Sequence, residues 1–201
     1  MPATLDDTKR SAMPLATIFD GIAMEIADIK ALQQLLIDNE QKLLPTVSSD
    51  KEISDRLNDF LKDDQQNLTV IEEVLRQFGN SIQPRDNIQQ YIEQVKRLME
   101  GSELTLYQKF SALERIKHQV FTTGLVVHKA SQITGEDVKE AIGPLNQVNF
   151  RNRAHQEQLK AVLEVLGTRE LTGQDPDQSI WARTQDAVAA LRGAFEGLTN
   201  N

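Results

Sequence analysis

Most of the chain repeats apolar residues every three or four positions, which is the spacing of one face of an α-helix. The first such stretch begins near Pro14 and ends before Pro45. A second opens with the capping-box pair Ser49 and Glu52 and closes at Gly79. Both stretches are long enough to cross a small domain, so we predict two long helices here.

Four further helices follow from the same spacing and from Gly and Pro as end signals. They are predicted at 87–100, at 103–132, from Thr134 to the Gly143-Pro144 break, and from Pro144 to Leu166, where Gly167 stops the helix. Asp175 and Pro176 then open a last helix of about 20 residues. The β-branched run 120–127 could form a strand, but the helical period continues through it, so we predict helix.

The predicted fold class is all-α: an up-down bundle of four long helices with an extra short helix and a C-terminal helix docked on it. Short polar connections favour antiparallel neighbours. We expect residues 1–12 to form a flexible N-terminal tail and residues 13–167 to form the helical bundle. Residues 168–201 are predicted to be a linker and a C-terminal helix that packs on the bundle.

Composition narrows the class of protein. The 201 residues are 39% hydrophobic and 26% charged, with a net charge of −8, which is typical of a globular protein. Because an acidic surface repels phosphate backbones, we expect no nucleic-acid partner. Cysteine is absent, which removes disulfides, thiolate metal sites and thiol nucleophiles.

Two targeting features are missing from the sequence. No stretch is apolar for 18 residues, and the N-terminus lacks the apolar core of a signal peptide. We therefore expect no membrane association and a cytoplasmic location. The amphipathic last helix is predicted to serve as a lid or as the contact of a homodimer.

Five ionisable residues interrupt the apolar stripes. They are Glu25, Asp64, Glu114, His118 and His155. Burying such groups is costly unless they are paired or bind a metal, and inward carboxylates and imidazoles are how helical bundles build metal sites. The sequence therefore predicts a polar centre inside the bundle.

The heights of these residues along the bundle suggest that they converge. If the turn near Thr134 joins antiparallel helices, residue numbers at equal height add up to roughly 270. That places His155 opposite Glu114 and His118, with Glu25 nearby. Oxygen and nitrogen ligands of this kind suit Fe, Mn or Zn, so all five residues are candidate metal ligands, although the site may also hold no cofactor.

Other interpretations stay open. Glu114 and His118 are four residues apart, not three as in the Glu-x-x-His motif of di-iron bundles. The polar residues could instead form a network that fixes helix register, which is the best-attested use of buried ions. An interior that carries an apolar ligand is a third alternative. No nucleophile elbow or phosphate loop is present, and the sequence leaves any enzymatic reaction open.

With these helices and inward residues in place, the chain resembles the hemerythrin/HHE and ferritin-like superfamily of four-helix proteins. It is most similar to cyanobacterial proteins known as hemerythrin HHE cation-binding proteins. The likeness covers most of the chain after residue 4 and is densest at 57–61, 124–130, 143–159 and 166–191. The resemblance implies a ferritin-like four-helix bundle that holds non-haem iron in better-studied relatives.

The resemblance also suggests how the candidate ligands correspond to the family's pattern. It implies that Glu114, His118 and His155 occupy matching places, that Asp64 replaces a second-helix histidine, and that Glu25 stands near the first-helix position. The function expected at this point is a bundle with a non-haem metal site that serves in iron or oxidative-stress handling. The alternative is a metal-free structural or protein-interaction bundle with a degenerate site.

Overall fold

The computed structural model describes residues 15–79 and 82–199, and within them the chain is helical without strands. Side chains are described from Ile18 to Phe195 within those ranges. The predicted N-terminal tail therefore lies outside the described residues. The helices are α1 (Leu15–Leu43), α2 (Lys51–Phe78), α3 (Asp86–Glu100), α4 (Leu106–Ser131), α5 (Glu136–Ile142), α6 (Leu145–Thr172) and α7 (Ser179–Thr199), with a 3₁₀ turn at Leu44–Val47.

The all-α prediction is confirmed, and most helix ends lie where the sequence placed them. Two details differ. The N-cap of α2 is Asp50, whose carboxylate accepts from the Ile53 amide at 3.2 Å, and not Ser49. Helix α6 does not stop at Gly167 but continues to Gly173, which ends it with a φ of +69°.

The four long helices form a closed ring in which α1 packs on α2, α2 on α6, α6 on α4, and α4 on α1. Contacting pairs show that neighbours in this ring are antiparallel. Between α4 and α6, residue numbers of such pairs add up to between 270 and 274, from Tyr107 against Gly167 to Gly124 against Asn149. Asp63 contacts His155 in the same way between α2 and α6.

Helix α3 runs along α1 in the same direction. At one end Arg85 pairs with Asp28, and at the other Lys42 pairs with Glu100 at 2.6 Å. This short helix carries the chain back along the bundle, so that α2 and α4 point the same way. The four long helices therefore run up, down, down and up, with one long crossover between the second and the third, and do not alternate as the predicted up-down bundle requires.

Helix α7 lies antiparallel to α6 on the outside of the ring. Its first half is fixed by buried Ile180 and Thr184 and by Trp181, whose ring faces the Arg56 guanidinium at 4.3 Å. Its second half brings the Phe195 ring against Phe150, with 4.5 Å between centroids. The C-terminal helix thus packs along the outer face of α6.

Candidate functional site

A lysine lies at the centre of the ring. Lys117 of α4 is 0% exposed, and its ammonium contacts one residue from each of the other three long helices. Its Nζ donates to Asp64 Oδ2, lies 3.1 Å from His155 Nδ1, and lies 3.2 Å from Glu40 Oε1. Glu40 makes this ion pair outside hydrogen-bonding geometry. These four residues form what we call the buried ionic cluster.

Polar neighbours complete the cluster on its α2 side. The His155 Nε2 lies 3.2 Å from Asp63 Oδ2, and Asn67 donates to Asp64 at 3.4 Å. The Phe60 ring packs on the imidazole of His155, with 4.5 Å between centroids. The result is a chain of charged and polar groups that crosses the bundle interior.

Mutual pairing keeps the central ions charged. Burial alone would disfavour the charged forms, but the carboxylates of Asp64 and Glu40 outweigh it and raise the pKa of Lys117. Burial likewise opposes ionisation of Asp64, yet the Lys117 ammonium and His155 hold its pKa below the usual range. The ammonium and the Asp64 carboxylate thus persist together as an ion pair.

The pKa of Glu40 in the cluster and the pKa of the neighbouring Asp63 shift in opposite directions. Burial raises the pKa of Glu40 well above its ordinary value, Lys117 offsets only part of this, and the nearby Asp64 carboxylate adds to it. Asp63 is half-exposed, and the hydrogen bond from His155 lowers its pKa. Of the two carboxyls in the cluster, Glu40 is therefore the one that takes up a proton more readily than Asp64.

A second polar group lies on the outer side of the seam between α4 and α6. The Gln156 amide nitrogen lies 2.9 Å from Glu114 Oε1 and 3.1 Å from His118 Nδ1. A carboxylate requires a donor, so the amide nitrogen faces Glu114, and His118 Nδ1 then accepts from the same nitrogen. The imidazole consequently carries its proton on Nε2, and His118 is exposed to solvent.

Glu25 lies apart from both groups. Its Oε2 pairs with Arg85 Nη2 at 2.6 Å, and the same guanidinium binds buried Asp28 through Nε at 2.5 Å. Asp28 also accepts from the Arg85 backbone amide at 2.8 Å. This arrangement fastens the start of α3 to α1.

The five residues singled out by sequence thus occupy three places. Asp64 and His155 meet inside the ring, Glu114 and His118 share a seam outside it, and Glu25 belongs to the α3 anchor. On α4, the face predicted to point inward is displaced by one residue from the face that is buried. The buried face follows the positions Phe110, Leu113, Lys117, Val120, Gly124, Val127 and Ser131.

Sequence reasoning missed Lys117 and Glu40. The signal was present, because Lys117 is four residues after Leu113 and three before Val120, which continues one apolar stripe. Glu40 extends the buried stripe of α1 in the same way, four residues after Leu36. Neither residue stands out in the sequence, because long charged side chains are rarely fully buried.

The Lys117 ammonium takes the central position between Asp64, His155 and Glu40 that the metal hypothesis gave to an ion. A positive side chain there already neutralises the inward carboxylate. Among residues 15–79 and 82–199, no group of three or more His, Asp or Glu side chains is arranged to hold a metal ion. Within the same ranges, no helix combines the length and apolar character that crossing a bilayer requires.

Comparison with known proteins gives one informative relative. No protein-family model matches the chain, and no solved structure matches it. A curated protein of Nostoc sp. (strain PCC 7120 / SAG 25.82 / UTEX 2576) named DNA nickase is 53% identical over 194 residues. The alignment covers 96% of this chain but 52% of that protein, so the chain spans about half the length of this relative.

Two predictions made from sequence are therefore wrong. The name of so similar a relative contradicts the predicted role in iron or oxidative-stress handling, and with it the assignment of the bundle as a metal-binding protein. It also contradicts the expectation that nucleic acid is not a partner. That expectation rested on the net charge of −8, which averages over the surface and does not describe any one face.

Proposed function

We propose that this chain acts on DNA and cuts one strand of a duplex. The observation that carries the proposal is the 53% identity, over nearly the whole chain, to a protein named DNA nickase. Because the chain spans about half of that relative, the activity proposed here is assigned to this half.

The polar seam outside the ring is the group best placed for this chemistry. Cutting a phosphodiester develops negative charge on the phosphate oxygens, and oriented N–H donors stabilise that charge. His118 is exposed. The amide nitrogen of Gln156, which also contacts Glu114, lies against Nδ1 of His118, so the Nε2 proton of His118 points away from the seam. We assign His118 to contact the phosphate, with Glu114 and Gln156 as positioning residues.

The buried ionic cluster has a different task in this proposal. Lys117 and Asp64 are 0% exposed and His155 is 3% exposed, so a phosphate in solution does not reach them. Their hydrogen bonds and charges tie the four long helices at one level. A buried ionic group that fixes register is the use best supported in other bundles.

The helix directions also support a kinship of fold. Ferritin-like bundles have one long crossover connection, and α3 supplies one here between α2 and α4. We therefore propose that the ring is a ferritin-like four-helix bundle, and its long crossover distinguishes it from the hemerythrin type of bundle, whose helices alternate up and down through short loops. This kinship concerns the backbone and carries no metal chemistry with it.

The direct test of the function uses supercoiled plasmid as the substrate. The purified chain, incubated at low salt with and without Mg²⁺, is expected to convert supercoiled plasmid to open circles before any linear DNA forms. Accumulation of open circles under either condition supports the proposal. Plasmid that stays supercoiled under both conditions, or that becomes linear without an open-circle stage, contradicts it.

A further inference from the structure

A groove of about 630 Å³ opens between α4, α6 and the second half of α7. Its walls carry three of the chain's seven phenylalanines, Phe121, Phe150 and Phe195. This volume lies within the range of about 300–1,000 Å³ typical of small-molecule sites. The groove is therefore large enough for a nucleotide and unusually rich in aromatic rings for a chain in which such residues make up 5%.

The three phenyl rings are half-buried, so part of each remains open to the groove. The rings of Phe150 and Phe195 stack at 4.5 Å with 27° between their planes. Phe121 lies under the Arg153 guanidinium, 5.8 Å from the ring centroid. Aromatic faces of this kind stack on unpaired bases without regard to sequence.

The charge of the groove is opposite to that of the whole chain. Among the side chains that the structure describes, Lys129 and Arg153 line it together with His128 and no carboxylate does, whereas the chain carries a net charge of −8. Arg153 pairs with Glu157 at 2.6 Å outside the lining, which steadies the guanidinium beside the opening. The groove therefore offers cations to a phosphate group, although the net charge of the whole chain is negative.

The floor of the groove offers amides. Asn149 projects into it beneath Gly124, and a side chain added at Gly124 would meet Asn149 Oδ1 at 1.8 Å. Side-chain amides hydrogen-bond the edges of bases. Rings, cations and amides thus stand together in one concave surface.

We infer that this groove binds a short single-stranded segment of DNA, with an unpaired base against the phenylalanine rings and its phosphate near Lys129 and Arg153. The inference rests on the proposed function and names the part of the substrate that this half of the protein holds. His118 lies on α4 about one helical turn before Phe121, the lining residue of the groove nearest to it along that helix. A strand bound here would pass its next phosphate toward that imidazole.

Binding of a fluorescently labelled 12-nucleotide oligothymidylate, followed by anisotropy at low salt, tests the inference. The double variant Phe121→Leu/Phe150→Leu keeps the walls apolar but removes two stacking faces. We expect its dissociation constant to rise at least about tenfold. The matched control is Phe19→Leu, an exposed phenylalanine on α1, which is expected to bind as the unaltered protein does.

Two further variants separate charge from stacking and guard against misfolding. Lys129→Gln/Arg153→Gln should lower the slope of log affinity against log salt by about 1 to 1.5, because two phosphate contacts are lost. The control, Lys62→Gln on α2, should leave the slope unchanged. Leu125→Glu places a carboxylate at a residue that lines the groove and is 43% exposed, so it should weaken binding without disturbing the core.

Binding by all groove variants within twofold of the unaltered protein, or no oligonucleotide binding at all, overturns the inference. Plasmid nicking measured in parallel separates the two proposals. Nicking that persists while groove variants bind normally contradicts only the groove. Loss of binding in the groove variants, from a protein that never nicks plasmid, supports the groove and contradicts the nicking function.

Discussion

Lys117 and its partners show how single residues give this bundle a polar interior. One ammonium is shared by the Asp64 carboxylate, the His155 imidazole and Glu40, each from a different helix. Desolvating two ions is costly, and excellent geometry is needed to offset that cost. Removing one member should therefore lower the free energy of unfolding by more than the small net contribution of the intact pair, because the other ion is left buried without a partner.

Replacement of Lys117 by methionine tests this point. The change leaves Asp64 as an uncompensated buried charge, so we expect the free energy of unfolding to fall by about 3–5 kcal/mol. Urea denaturation measures the loss, with Lys62→Met as the control at an exposed lysine of α2. Adding Asp64→Asn to Lys117→Met should restore part of the stability. A fall below about 1 kcal/mol for Lys117→Met would show that the cluster is not a true buried ion pair.

The raised pKa of Glu40 predicts that the stability of the protein depends on pH. Because its pKa in the folded protein is raised above the ordinary 4.5, the folded state binds this proton more tightly than the unfolded state does. The contribution to stability is fully present below pH 4.5 and is lost as the pH rises through the folded-state pKa.

The variant Glu40→Gln stays neutral and should not show this loss. Urea unfolding between pH 4 and pH 8 is expected to show a difference in stability that shifts in favour of Glu40→Gln as the pH rises. A difference that does not change with pH would mean that Glu40 titrates as an ordinary carboxyl.

At the scale of helices, the approach of α4 to α6 depends on Gly124. An alanine there would place its Cβ 1.8 Å from Asn149 Oδ1, so Asn149 or the helix must move. Overpacking of this kind typically costs about 1–3 kcal/mol, which exceeds the gain of up to about 1 kcal/mol from replacing glycine in a helix.

Gly124→Ala should therefore destabilise the protein, whereas Gly193→Ala, which meets nothing within 4 Å, should be neutral or stabilising. Thermal unfolding of both variants measures the contrast. Asn149→Ala combined with Gly124→Ala should recover most of the loss. Equal stabilities for the two glycine variants would show that the close approach is not required.

Helix ends were largely predictable because they are local. Gly79 ends α2 with a φ of +122°, which favours glycine, and Pro144 precedes α6 at a position where its missing N–H costs nothing. Gly167 misled because its role is tertiary: it lies inside α6 and allows the Tyr107 ring of α4 to pack 3.2 Å from where a Cβ would be. A glycine that serves packing has no local mark that distinguishes it from one that ends a helix.

The site was less predictable than the helices. The apolar spacing placed Asp64 and His155 in the bundle interior, but the count of levels put Asp64 about one to two turns away, whereas the two side chains lie at the same level. The sequence could not show which face of α4 points inward, because Phe121 and Leu125 continue an apolar row beside the buried one. Which row faces inward is decided by the neighbouring helices, and that choice moved Glu114 and His118 to the outer seam and Lys117 to the centre.

For the whole molecule, net charge was a poor guide to partners. A charge of −8 predicts repulsion of DNA at a distance, but screening limits that repulsion to about 10 Å at 0.1 M salt. Close contact depends on the local surface, and in the part of the chain whose side chains are described the groove between α4, α6 and α7 is lined by cations and by no carboxylate. Similarity to a protein named DNA nickase is consistent with such a local surface.

The rate of plasmid nicking by His118→Ala, compared with the unaltered chain, tests the central claim most directly. Loss of one N–H donor at a developing charge should lower the rate by about 10²–10³-fold, whereas Thr122→Ala, an exposed position one turn further along α4, should nick at the normal rate. Open-circle formation by the unaltered chain and by Thr122→Ala, but not by His118→Ala, is the predicted result. Equal nicking by all three proteins, or nicking by none, would contradict the account.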